Sequence, residues 1–524
     1  MSIKRVTDEK EVDQRLAALM TNVNAVRAVA AAVEGTLGPK GLDTMLVDQF
    51  GAVTITNDGV TILEEMEATH PAAKMVINAA KAQEEEVGDG TTTATLWAGS
   101  LVSEGLNQVL KGVPVARVLE GMRAGIKRAL TIFEQRARPV RELQDPLLYQ
   151  VAMVAGRGHT DIAELIVQAA QMVEEDKLRD PTFKLRDSVF AAEGVENEVF
   201  EGVLVNRRRL NKQMPVAVSG PRILVLDDAL APEELEEGAL ATEAGFNRYL
   251  ALQEEFHNNL LKIINLGVKL VLVDRRVSDY AEEVLTGAGV MVLPRVAAKE
   301  WRRVAEHTGA WPLKRTGLKK HPEELMRYLG AARLAREDEP REHVRVEGGS
   351  EKPCATVLVG AATAEVLGER ERIARDAASA VQAALKGGVV PGGGAVELAV
   401  ARTLEGVKGE LRGMTAYGVE CVIEALKRPF IQIVTNAGFN ALEKMGDVVA
   451  AQLEQETDCL GVDCDTGSVC NLWEAGIVDP VLVKTHALKA AGELAVAILR
   501  IDTIIRKKEG KKAPDSVPQR REEF

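Results

Sequence analysis

The residues best suited to chemistry are the octet Gly88-Asp89-Gly90-Thr91-Thr92-Thr93-Ala94-Thr95. Gly90 lets a ligand approach bare backbone, the threonines add hydroxyl donors, and Asp89 offers the hard oxygen that a phosphate-bound Mg2+ prefers. Such a set needs an anion-binding frame, and the flanking sequence predicts one. His70-Pro71 opens an amphipathic run through Met75, Val76, Ala79 and Ala80 that ends in Glu84-Glu85-Glu86-Val87. Gly88 then suits the left-handed residue that closes a helix. Ala94, Leu96, Ala98, Leu101, Val102 and Leu106 mark a second helix, so the threonines fall at its N-terminus. Unpaired N–H groups and the positive dipole end gather there, and both attract phosphate. A plain loop with a threonine cap would carry the same letters, so the octet by itself leaves both readings open.

Further acids and glycines are scattered along the chain. Asn57-Asp58-Gly59 breaks a short strand with residues that tolerate positive φ and leave the Asp58 carboxylate exposed. Asp376, in Arg372-Ile373-Ala374-Arg375-Asp376-Ala377, flanks the apolar stripe of Ile373, Val381 and Ala384, where a solvated or ion-paired acid is the common case. Asp479 precedes Pro480 and reads as a helix-start acid. Pro391-Gly392-Gly393-Gly394 has the composition of a hinge, and it also offers bare backbone ahead of a helix that starts at Ala395.

A chain of 524 residues should form about three domains. Hydrophobic content of 46% and charged content of 27% are ordinary for a globular protein. A net charge of −13 and only 4% aromatic residues argue against a nucleic-acid binder. The polar start Met1-Ser2-Ile3-Lys4-Arg5 and the lack of an uninterrupted apolar run of spanning length predict no membrane partner and a cytoplasmic location. Cys459, Cys464 and Cys470 cluster without C-x-x-C spacing or a histidine among them, so they read as reduced structural thiols.

Residues 11–34 form a helical pattern with Leu16, Leu19, Met20, Val23, Val26 and Val33 on one face, closed by Gly35. The tight loop Thr36-Leu37-Gly38-Pro39-Lys40-Gly41 follows, then Met45–Asp48 and Val53–Thr56 read as a hairpin. Helical patterns fill most of 60–138 and 147–177, the latter interrupted at Ala155-Gly156-Arg157-Gly158. Apolar runs at 222–227, 268–273 and 290–293, with a helical pattern at 278–286, predict an α/β unit of about 204–362. Region 228–262 is first acidic, then helical. The last third is helical to Arg506, and the tail from 507 has the composition of a flexible end.

Taken jointly and in this order, Thr36–Gly41, Asn57-Asp58-Gly59, Gly88–Thr93, Asp376 sixteen residues before Gly392, and Asp479-Pro480 make the chain similar to the chaperonins, ring-forming 60-kDa ATPases that fold other proteins. The wording of Asn57–Leu63, His70–Lys74 and Leu499–Asp502 resembles the thermosome-like type. The resemblance implies a multidomain α and α/β fold: a mostly helical equatorial domain (1–139 and 394–524), a small intermediate α/β hinge domain (140–203 and 363–393), and an α/β apical domain (204–362). Region 228–262 would be its helical protrusion, a built-in lid that makes a separate co-chaperonin unnecessary. It further implies ATP and Mg2+, unfolded client proteins, and a homo-oligomeric double ring with eight subunits per ring.

Carried over residue by residue, Leu37, Gly38 and Pro39 would line the nucleotide, and Gly90, Thr91, Thr92 and Thr93 would cradle its phosphates. Asp89 would hold Mg2+, Gly393 would lie against the ribose, and Asp479 would accept from its hydroxyls. Asp58 and Asp376 would orient and deprotonate the attacking water, a division that suits in-line attack on a γ-phosphate. With Asp376 on the moving domain, hydrolysis would wait for closure. Arg157 departs from the family's Gly-Lys-Gly wording and exchanges a point charge for a planar fork. The alternative reading is a chaperonin-like scaffold or holdase that does not cycle ATP, although it has little need of all three acids. An unrelated small-molecule ATP enzyme would need the Walker lysine motif, which is missing.

Overall fold

The computed structural model describes residues 8–51, 53–234, 242–410 and 413–502. Apolar residues at helical spacing gather into a first core. The helix Thr91–Leu110 buries Ala94, Trp97, Ala98, Leu101 and Val102 along one stripe. It packs with Asp8–Glu34, Val115–Arg136, Thr415–Asn436 and Val481–Leu499, so both ends of the chain share this core. The stretch Leu16–Glu34 is long and apolar enough to cross a membrane by length and composition alone, but Asn22, Asn24 and Arg27 interrupt it. Here Val23, Val26 and Val33 are fully buried in the first core, whereas Met20 points away from it and is exposed.

A second core joins Pro146–Ala155 and Thr160–Met172 to Ala364–Gly387 and to the parallel strands Val189–Glu193 and Ala355–Ala361. The break at residues 156–159 is a turn with Arg157 and Gly158 at positive φ. The remaining sheet carries the third unit. Val268–Val273 pairs in parallel with Arg222–Leu226 on one side and Met291–Leu293 on the other. Alternate residues face opposite ways: Ile223, Leu270 and Leu272 enter one core, Leu224, Val271 and Val273 another. That two-sided burial accounts for the continuous apolar runs in the sequence. Helix Glu243–Asn265 covers one face through Phe256, Leu260 and Ile263, and Thr242 caps it by accepting from the Gly245 N–H. Part of the acidic stretch before it (235–241) and the tail from 503 lie outside the described residues.

Two readings of the sequence need correction. Pro391–Gly394 is not a free hinge: Val389–Pro391 pairs with Val478–Pro480, and a Cβ on Gly394 would meet the Phe430 Cα at 2.7 Å. Asp479 is not a helix cap. It sits inside that strand pair opposite Val390, and helix Val481–Leu499 starts after Pro480 without a side-chain cap.

Candidate nucleotide and metal site

Helix Pro71–Glu86 ends at Val87, and Gly88 and Gly90 both take the left-handed conformation, with φ of 76° and 80°. Gly90 is the N-cap of helix Thr91–Leu110 and supplies no side-chain bond, so the first-turn N–H groups keep their capacity for a ligand. Thr91 is buried; Thr92 and Thr93 are half-buried at the same turn. The Asp89 Oδ1 accepts from the Gly90 N–H at 2.6 Å. Beside this turn starts helix Gly59–Glu65. A Cβ on Gly59 would lie 2.3 Å from the Thr92 Oγ, so two helix N-termini meet here. Asp58 caps the shorter one, accepting from the Thr61 N–H at 3.0 Å and the Thr61 hydroxyl at 2.5 Å.

Asp376 reaches this place from the second core. On helix Ala364–Gly387, Arg372 lies one turn before it and donates to the Thr61 Oγ at 3.4 Å. Ser379 lies one turn after it, against Gly88. Residues at i−4 and i+3 share a helix face, so Asp376 stands between Asp58 and Asp89. Its carboxyl has no hydrogen bond or ion pair among the described residues, and burial together with Asp89, Glu84 and Asp58 pushes its pKa well above the usual range. Burial also raises Asp89 to about 6, with Asp479 adding to the rise. Arg157 opposes both shifts. Its guanidinium bridges the Asn57 side chain and the Glu369 Oε1, the latter at 2.6 Å.

Asp479 lies on the flank of this group. Its Oδ2 is 2.7 Å from the Lys484 Nζ, which also meets the Glu397 Oε1 at 2.5 Å. Burial works against the lysine charge, yet the two carboxylates hold its pKa above the usual value. Gly392 packs on Asp479, and Gly393 (φ 60°) has the Leu472 side chain 2.8 Å from where its Cβ would be. The loop of Leu37, Gly38 and Pro39 is held by helix Thr415–Asn436. The Leu37 carbonyl accepts from Asn436 at 2.8 Å, and Gly38 abuts Ile433.

Sequence reasoning missed Gln83, Glu84, Arg186, Lys484 and Glu397. Glu84 has its pKa raised to about 7, chiefly by burial and despite Arg186 at 2.9 Å. Nothing in the run Glu84-Glu85-Glu86 separates it from solvated neighbours; only the tertiary placement of Arg186 does. The three cysteines at 459–470 are free thiols, and burial raises each pKa.

No cluster of three or more His, Cys, Asp or Glu among the described residues could hold a metal by itself. Asp89 with one oxygen committed to Gly90 therefore fits a cation whose other ligands are phosphate oxygens and water, as Mg2+ prefers. The phosphates would approach the bare backbone of Gly90 and take the N–H groups and hydroxyls of Thr91–Thr93.

The arrangement has relatives. The family model for the TCP-1/cpn60 chaperonins matches residues 29–509. The chain is 35% identical over 501 residues to thermosome subunit beta of Archaeoglobus fulgidus, covering 92% of this chain and 91% of that one. It is 32% identical over 517 residues to the thermosome subunit of Pyrococcus abyssi, covering 94% and 92%. A crystal structure of a group III chaperonin in the open state superposes with a TM-score of 0.84 at 49% identity, covering 94% of this chain and 100% of that one. With most of its length matched in sequence and in fold, the chain belongs to the TCP-1/cpn60 chaperonin family.

Proposed function

We propose that this chaperonin is a Mg2+-dependent ATPase that couples hydrolysis to closure of a folding chamber. The observation that carries the reading is the double seating of helix Ala364–Gly387, through Arg372 on Thr61 and Ser379 on Gly88, which sets Asp376 beside Asp58 and Asp89. Gly90, Thr91, Thr92 and Thr93 hold the phosphates and Asp89 the metal. Bound Mg2+ would neutralise charge on the phosphate oxygens. Asp58, its carboxylate fixed by Thr61, is a rigid acceptor that orients water. Asp376, uncommitted and made more basic than an ordinary carboxylate by burial and by the neighbouring acids, is suited to take the proton. Asp479 and Gly393 face the ribose, and Leu37, Gly38 and Pro39 the remaining side of the nucleotide.

In this reading the first core is the equatorial domain (1–139 and 394–524), the second the intermediate domain (140–203 and 363–393), and the sheet of 204–362 the apical domain. Helix Glu243–Asn265 belongs to the protrusion 228–262, the built-in lid over unfolded clients. Ring assembly is supported by the hairpin Thr44–Val47 and Val53–Thr56. Its Met45, Val47, Val53 and Ile55 are exposed and Phe50 is 85% exposed, so the hairpin offers an edge and an apolar face to a neighbouring subunit. Free buried thiols, Cys421 among them with a pKa pushed up to about 12 by burial, support a reducing, cytoplasmic location.

The Asp376→Ala protein tests the engine. ATP should bind with nearly unchanged affinity while hydrolysis falls by about 100-fold or more; unchanged turnover would remove the assigned role. Negative-stain microscopy should show stacked double rings, and a monodisperse monomer would refute the chamber.

A further inference from the structure

Gln83 is fully buried in the last turn of helix Pro71–Glu86, and every polar group of its amide is used. Its Nε2 donates to the Asp89 carbonyl at 2.8 Å and to the Val483 carbonyl at 3.3 Å. Its Oε1 lies 2.5 Å from the His486 Nδ1. An amide oxygen only accepts, so His486 carries its proton on Nδ1. That proton also fixes the amide: a flipped Gln83 would turn its NH2 toward an N–H and set its oxygen against two carbonyls. Gly90 closes the arrangement from outside, because a Cβ there would lie 2.5 Å from Val483 and 3.3 Å from the Gln83 Nε2.

We propose that Gln83 is a positioning residue for Asp89, locked by His486. It ties the Asp89 peptide to helix Val481–Leu499, a partner some four hundred residues away in the chain. With the carbonyl held by Gln83 and Oδ1 held by the Gly90 N–H, both the backbone and the side chain of Asp89 are set, and the second carboxylate oxygen is presented in one direction. The proposal rests on the reading of Asp89 as the metal ligand. Outer partners that orient a ligand in this way are worth about 10–100-fold in metal affinity.

The test measures ATP hydrolysis by the assembled full-length protein against Mg2+ concentration, with nucleotide binding in EDTA as a parallel readout. Gln83→Leu should raise the half-saturating Mg2+ by about 10–100-fold and leave metal-free nucleotide binding within about 3-fold. His486→Leu, which frees the amide to flip, should shift it in the same direction by less. His486→Gln, which restores a donor to Oε1, should recover most of the loss. Gln108→Leu, another buried glutamine of the same core, controls for mere packing and should leave the Mg2+ requirement unchanged. Asp89→Asn separates the two readings: if it leaves the Mg2+ requirement unchanged, the metal assignment falls. If Asp89→Asn raises the requirement while Gln83→Leu and His486→Leu do not, Gln83 is a packing residue only. Should Gln83→Leu fail to fold, His486→Leu decides, a clear rise supporting the proposal and no rise overturning it.

Discussion

A Cβ built on Gly88 would lie 2.2 Å from the Ser379 Oγ, so the helix that carries Asp376 rests directly on the backbone leading into Asp89. Gly88 is thus more than a helix terminator. It is the place where the second core sits down on the loop proposed to hold phosphate, and its missing side chain sets how near Asp376 can come.

Gly88→Ala should therefore separate binding from chemistry. The left-handed φ of 76° costs an L-residue about 1–2 kcal/mol, and the added methyl pushes Ser379 away. A displacement near 1 Å at the reacting groups is worth about 100-fold in rate. Single-turnover hydrolysis should fall by roughly that factor, with ATP affinity nearly kept. Equal loss of both would mean that Gly88 shapes the phosphate loop rather than the approach of Asp376.

Arg157 joins Asn57, next to Asp58, to Glu369 on the Asp376 helix with one guanidinium. Both bonds leave the planar Nη1, whose two N–H directions are fixed, whereas a lysine is a point charge on a shorter stem with freely rotating N–H groups. Arg157→Lys should weaken this clasp, slowing lid closure and single-turnover hydrolysis together by about 3–10-fold, a loss of about 1 kcal/mol. Protease protection of region 228–262, the proposed lid, during ATP addition reports closure, and unchanged protection kinetics would exclude the clasp.

Glu84 makes the stability of the fold sensitive to pH. Its folded pKa of about 7 exceeds the ordinary 4.5, so the folded protein holds a proton that the unfolded chain has released between those values. The contribution to stability is complete below about pH 4.5 and is lost as pH rises through 7. Its size is about 3 kcal/mol at most. Glu84→Gln, which can still accept from Arg186, should flatten the fall in nucleotide-free melting temperature between pH 5 and 8. An unchanged slope would place the proton elsewhere.

The parts of this site that could be read in the sequence are those fixed by local rules. Gly88 and Gly90 occupy positive φ, and the threonines open a helix, because each requirement is met within a few residues. The buried strands of 222–226 and 268–273 were legible because two-sided burial leaves no alternation. Asp479 looks like a helix cap because the strand partner that defines it, Val390, lies some ninety residues away in the chain. Pro391–Gly394 looked like a hinge because composition does not register that Phe430 fills the space beside Gly394. Gln83 and Glu84 gave no signal, as a polar residue near a helix end is ordinary until a distant chain segment buries it.

The trio of buried Lys484 and Glu397 with half-buried Asp479 gives a prediction in which stability and binding part company. Glu397 is 1% exposed at its side chain and its Oε2 has no hydrogen-bond partner, so Lys484 is its principal compensation. Lys484→Met leaves that carboxylate buried without a counter-charge and should cost about 3–5 kcal/mol, because desolvation is then unopposed. Adding Glu397→Leu removes the stranded charge and should restore most of the melting temperature, since an apolar pair of similar volume replaces a buried ion pair at little net cost. Nucleotide affinity should stay low in the double variant, because Asp479 has still lost the cation 2.7 Å away that orients it. Melting curves and nucleotide titrations on both variants distinguish the cases. If the double variant recovers stability and affinity together, Lys484 serves only to compensate Glu397, and Asp479 is held for the ribose by its strand pairing with Val390.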